Sequence, residues 1–140
     1  MWQHIAIGSL LVLTTTVVHA AVTVLALLGL TWAQRLIGAH LGRAFAISCL
    51  VVGLFLVSLF DALLWAIAYL EVGAIGDFES ALYFSMVTFT TLGYGDVILG
   101  TEWRLLAAFE AANGIIIFGW STALVVAYVQ RLAPKRSAHG

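Results

Sequence analysis

Thr90-Thr91-Leu92-Gly93-Tyr94-Gly95-Asp96 lies between two long apolar segments and directly follows a short aromatic one. Its glycines, Gly93 and Gly95, sit at alternate positions and admit positive φ at little cost. Backbone of that kind can turn successive carbonyls to one side, whereas the carbonyls of an ordinary strand alternate. A row of carbonyl oxygens on one side is a site for a dehydrated hard cation. Whether the loop works that way depends on what surrounds it.

The surroundings are apolar. The chain has 140 residues, one domain by length, and is 63% hydrophobic with only 9% charged residues. Soluble domains average about 25% charged, so this composition belongs to a membrane protein. The net charge of −1 says nothing about nucleic acid, and no basic cluster is large enough for it, so nucleic acid is not expected as a partner. The single cysteine, Cys49, rules out an intrachain disulfide and reads as a small buried hydrophobe. No metal-ligand spacing and no nucleophile–base constellation is present, so neither an enzyme nor a cofactor is expected.

About 20 apolar residues cross a bilayer core. The run from about Ile5 to Trp32 contains no Lys, Arg, Asp or Glu and is long enough. A cleaved signal peptide is the rival reading, on Val18-His19-Ala20. It is disfavoured because Met1 to His4 has no Lys or Arg and the apolar run continues well past Ala20. Gln34 to Arg43 reads as a polar connection, and a second span runs from about Phe45 to Leu70, broken only by Asp61. An acidic loop, Glu71 to Glu79, leads to Ser80–Thr90, which is too short to cross and suits a re-entrant helix capped by Asp77 or Ser80. The third span runs from Trp103 to about Val129, and Arg131, Lys135 and Arg136 follow.

With three crossings, Arg35, Arg43, Arg131, Lys135 and Arg136 share one side. Glu71, Asp77, Glu79, Asp96 and Glu102 share the other. The positive-inside rule makes the first side cytoplasmic and puts the N-terminus outside. Trp2, Trp32, Trp65 and Trp103 are placed as interfacial belt residues. Non-helical backbone at membrane depth must face water, protein or an ion. One carbonyl strand cannot surround an ion, so symmetric copies are required.

The loop resembles the signature of potassium channels, with Leu92 where the usual form has Val. The resemblance covers about residues 45–130: outer helix, pore helix, filter and inner helix. It implies an all-α membrane protein with three transmembrane helices, a re-entrant pore helix, an extended selectivity filter and a homotetrameric assembly. The divisions that follow are an additional transmembrane helix (1–33), a cytoplasmic loop (34–44), the pore domain (45–130) and a short basic tail (131–140). By the resemblance, four copies of Thr91–Gly95 form the filter. The carbonyls of Thr91, Leu92, Gly93 and Tyr94, with the Thr91 hydroxyl, replace the hydration shell of K⁺. K⁺ is then the permeant ion and no other small molecule is a substrate.

Thr90, Asp96, Tyr83, Phe84, Val87 and Glu110 are the expected filter supports. Tyr94 is expected to pack on Tyr83 and Phe84. Several relatives carry at Val87 a Glu that bonds the filter-end Asp, so Asp96 needs another donor: Trp103, Tyr83 or water. Gly114 and Gly119 resemble the small residues of the inner-helix hinge. Gly114 reads either as that hinge or as a close-packing position. Phe118 and Thr122 share one face and are cavity-lining candidates.

Three intramembrane ionisable groups call for partners. Glu110 either braces the pore helix, is satisfied by Asn113, or contacts the ion. For Asp61 and His19, depths counted from the span ends disfavour a direct pair. Each reads as a satisfied helix–helix bond or as a pH-sensing group. No span carries the regularly spaced Arg or Lys of a voltage sensor. A weakly selective cation channel and a non-conducting accessory membrane subunit are the competing functions.

Overall fold

The computed structural model describes residues 2–34 and 39–132, with side chains for 2–30 and 43–131. Four helices account for nearly all of it: α1 (Trp2–Gln34), α2 (Ala39–Glu71), α3 (Phe78–Phe89) and α4 (Arg104–Leu132). Three of them, over Trp2–Leu30, Arg43–Glu71 and Arg104–Arg131, are long and apolar enough to cross a membrane. The protein is therefore a multi-pass membrane protein. At ~1.5 Å per residue, the 12 residues of α3 fall short of a crossing.

Two boundaries differ from expectation. The second long helix begins at Ala39, six residues before Phe45, so the connection is shorter than 34–44. Arg43 and Gly42 had marked that stretch as loop, but a charge does not break a helix and one Gly costs only about 1 kcal/mol in it. Residues 35–38, with Arg35, and residues 133–140 of the basic tail lie outside the described residues. The short helix begins at Phe78, two residues early. Asp77 is its N-cap, in extended backbone, and its Oδ1 accepts from Ser80 N at 2.9 Å. That bond holds the Asp77 carboxyl below the usual carboxylate range.

The helices pack around two separate apolar clusters. One, at the end that carries the Thr90–Asp96 loop, contains Ala62, Trp65, Tyr69, Phe84, Phe89, Leu99, Leu106 and Ile117. The other, at the opposite end, is smaller: Ala46, Leu50, Leu54 and Tyr128, with Leu27, Leu30, Ile47 and Val125 against it. Trp65 belongs to the first cluster and is fully buried, so it is not an interfacial belt residue. Trp2 is exposed, as a belt residue would be.

α1 runs beside α4 in parallel register. His4 stacks on Trp103 with ring centroids 4.7 Å apart, and Gly8 leaves room for the Phe109 ring. Further along, Thr15 meets Asn113 and His19 meets Ser121.

Candidate functional site: the Thr90–Asp96 loop and its braces

Two helix ends in this chain share one backbone motif. At the end of α2, Gly73 adopts φ 70°, its N–H bonds the Leu70 carbonyl, and Ala74 N bonds the Tyr69 carbonyl. At the end of α3, Thr91 adopts φ 60°, its N–H bonds the Thr88 carbonyl at 2.9 Å, and Leu92 N bonds the Val87 carbonyl at 3.0 Å. Both are Schellman endings, which normally place glycine at the left-handed position. Threonine there costs roughly 1–2 kcal/mol, and such strain gathers at functional loops. The helix ends where its expected bound at Thr90 put it, but because the motif asks for glycine, a left-handed Thr91 was not foreseen.

Left-handed backbone then recurs at every second residue: Thr91 at 60°, Gly93 at 54° and Gly95 at 77°. The amides of Thr90, Thr91, Leu92 and Gly93 are all bonded back to carbonyls of Met86, Val87 and Thr88. Among the described residues, no backbone N–H bonds the carbonyls of Thr91, Leu92, Gly93 or Tyr94. The loop thus spends its donors on the helix it leaves and keeps its acceptors free. The Thr90 hydroxyl adds a bond to the Met86 carbonyl at 2.7 Å. Val87 acts through its backbone carbonyl, which accepts from both Leu92 and Gly93.

Asp96 finds the donor that Val87 cannot supply. Tyr83 Oη donates to Asp96 Oδ2 at 2.5 Å, and Val97 N donates to Oδ1 at 3.0 Å. The Tyr83 hydroxyl is the main cause that holds the Asp96 carboxyl below its ordinary range. Of the three donors considered, Tyr83 takes the role. Phe84 belongs to the apolar cluster around Trp65 and Tyr69. It is buried edge-on against Tyr69, centroids 5.2 Å apart, because the apolar cluster takes it inward. Leu92 and Tyr94 are largely exposed on the single chain, at 56% and 67%.

Glu110 is fully buried and ties three helices together. Tyr69 Oη of α2 donates to Oε2 at 2.6 Å, and Ser85 Oγ of α3 to Oε1 at 2.5 Å. Ser85 Oγ also lies 2.6 Å from the Ala62 carbonyl. Asn113 is not the partner of Glu110: its Nδ2 donates to Thr15 on α1 at 2.7 Å. Tyr69 and Ser85 were missed in the sequence, where a tyrosine near a helix end and a serine in an aromatic run carry no special mark.

The two glycines of α4 separate. A Cβ at Gly114 would overlap the Phe89 backbone carbonyl of α3, while a Cβ at Gly119 would meet nothing within 4 Å. Close packing therefore accounts for Gly114. Phe118 packs on Phe89, centroids 5.7 Å apart, and lines with Thr122 a groove between α2 and α4.

His19 and Asp61 are in direct contact, Nδ1 to Oδ2 at 2.9 Å, against the expectation from depth. That count assumed that the spans begin at one plane. Tyr69 is instead level with Glu110, seven residues into α4, so α2 ends below the level of Trp103. Counted from the Trp103 level at ~1.5 Å per residue, Asp61 and His19 both lie about 22 Å down.

No curated protein and no solved structure matches the chain significantly. A family model described as an ion channel matches residues 58–131, more than half of the chain, and takes in the loop, its braces and α4. The chain belongs to that ion channel family, whose pore is of the potassium-channel type.

Proposed function

We propose that the protein is a K⁺-selective channel of the plasma membrane. In this reading four copies surround an axis and α3 is a re-entrant pore helix. The N-terminus is outside and the C-terminus cytoplasmic. Thr91–Gly95 is the selectivity filter, and K⁺ binds at the carbonyls of Thr91, Leu92, Gly93 and Tyr94, with the Thr91 hydroxyl at the inner end. Residues 45–130 form the pore domain, and α1 is an addition to it.

The observation that carries this reading is the alternation of left-handed backbone at 91, 93 and 95 with unengaged carbonyls between. Backbone whose Thr91, Leu92 and Gly93 amides are bonded to the preceding helix and whose carbonyls are unengaged suits the replacement of a hydration shell. Exposed Leu92, Tyr94, Ile115, Ile116 and Trp120 supply the apolar surface that neighbouring copies would cover. Glu110 and Asp96 serve the filter from behind, as braces rather than as ion ligands.

The test is a bilayer recording of the purified protein under a K⁺/Na⁺ gradient. A reversal potential close to the K⁺ equilibrium value is expected. A value near zero would mean a weakly selective cation channel, and no current at all would favour an accessory subunit.

A further inference from the structure

The filter braces leave a second buried polar group unused. On α1, Thr15, His19 and Thr23 recur every four residues, and all three are buried. They form one stripe along the helix. Thr15 Oγ1 donates to the Leu11 carbonyl and accepts from Asn113 Nδ2. His19 is held between two helices: Nδ1 lies 2.9 Å from Asp61 Oδ2 on α2, and Nε2 lies 3.1 Å from Ser121 Oγ on α4. In hydrocarbon such groups have no alternative partner, so they fix the register of α1 against its neighbours.

The two contacts fall on unlike parts of α4. Asn113 belongs to the part already fixed by Glu110 and by the contact of Gly114 with Phe89. Ser121 lies two residues beyond Gly119, where an added Cβ would meet nothing within 4 Å. Of the two glycines, only Gly119 lets the helix bend without disturbing the seat of α3. We propose that α1 is a strut on the inner helix. Thr15 anchors it to the fixed part through Asn113. His19, oriented by Asp61, holds the part beyond Gly119 through Ser121. Bending at Gly119 then requires the His19–Ser121 bond to break. A serine hydroxyl can donate or accept, so the strut holds with the imidazole neutral or charged.

The consequence for gating rests on the channel reading; the contact itself does not. The test uses the full chain with Ser121→Ala, Thr15→Val and, as the conservative control, Ser121→Thr. Each is recorded in bilayers and followed by amide exchange of residues 119–125 in nanodiscs. Ser121→Ala should change the open-to-closed ratio about fivefold, the equivalent of one ordinary hydrogen bond. It should also speed exchange beyond Gly119 and leave unitary conductance and reversal potential unchanged. Thr15→Val should move both readouts in the same direction, and Ser121→Thr should restore them. Unchanged open probability and exchange in Ser121→Ala would overturn the strut, as would equal behaviour of the Ala and Thr variants. If the wild type carries no K⁺ current, the channel reading fails, and the exchange rates alone decide the strut.

Discussion

The two halves of α4 are held in different ways. The half near the loop is seated by a buried carboxylate with two hydroxyl donors, by a glycine pressed on a backbone carbonyl, and by the larger apolar cluster. The half beyond Gly119 has a smaller cluster, an open groove beside Phe118 and Thr122, and a polar contact from Ser121 to His19. The contrast suits a molecule in which one end must keep its geometry and the other must be free to move. Buried polar groups that are paired specify a unique arrangement, and at the loop end Glu110, Tyr69 and Ser85 are paired in this way.

The sharpest way to break this comparison is a pair of alanines. Gly114→Ala places a methyl group inside the Phe89 carbonyl. Overpacking of this kind typically costs 1–3 kcal/mol, roughly, and more against backbone; a large drop in thermal stability in detergent is expected. Gly119→Ala should instead raise stability by about 0.5–1 kcal/mol through helix propensity. It should also stiffen the lower half. Equal destabilisation by the two would erase the distinction between seated and free parts.

A smaller effect should come from Glu110. Glu110→Leu leaves the Tyr69 hydroxyl unpaired in the interior, at about 1–3 kcal/mol, while Ser85 keeps the Ala62 carbonyl as its acceptor. Glu110→Gln can still accept from Tyr69 and donate to Ser85, and should keep most of the stability. If Leu and Gln unfold at the same temperature, the carboxylate is no brace.

The smallest effect lies at the loop's edge, where the Tyr83–Asp96 bond is exposed. The carboxyl is depressed, so the bond's contribution is complete above the ordinary Asp pKa of about 3.9. It is lost as pH falls through the lower folded value. Loop stability, read by thermal melting of the assembled protein, should therefore be indifferent to this pair between neutral pH and about 5, since ordinary Asp titrates near 3.9. Tyr83→Phe removes the main cause of the depression and should bring the acid-induced loss to higher pH. An unchanged acid limb in Tyr83→Phe would show that Tyr83 is not the group holding Asp96.

Much of the molecule was legible in the sequence because the signals were local. Three long apolar runs meet the length a bilayer demands, and α3 is too short for it. Gly93 and Gly95 marked left-handed positions that the backbone indeed adopts. Asp77 capped its helix as its side chain allows. Asp96, lacking a partner at Val87, pointed to a donor among three, of which Tyr83 is one.

What remained hidden depends on the relative height of helices. Nothing in the sequence sets α2 lower than α4, so the contact of His19 with Asp61 could not be counted out from helix ends. For the same reason the readings of Glu110 stayed open between a brace on the short helix, Asn113 and the ion, and its actual partners, Tyr69 and Ser85, were not named. The left-handed Thr91 was invisible because the residue is unfavourable there, and only the surrounding bonds to Val87 and Thr88 hold it. Local chemistry determined the spans, the cap and the loop's capacity to line up carbonyls. Tertiary packing decided which buried groups meet, and which glycine presses on a backbone carbonyl and which faces open space, because those depend on how whole helices slide and lean against one another.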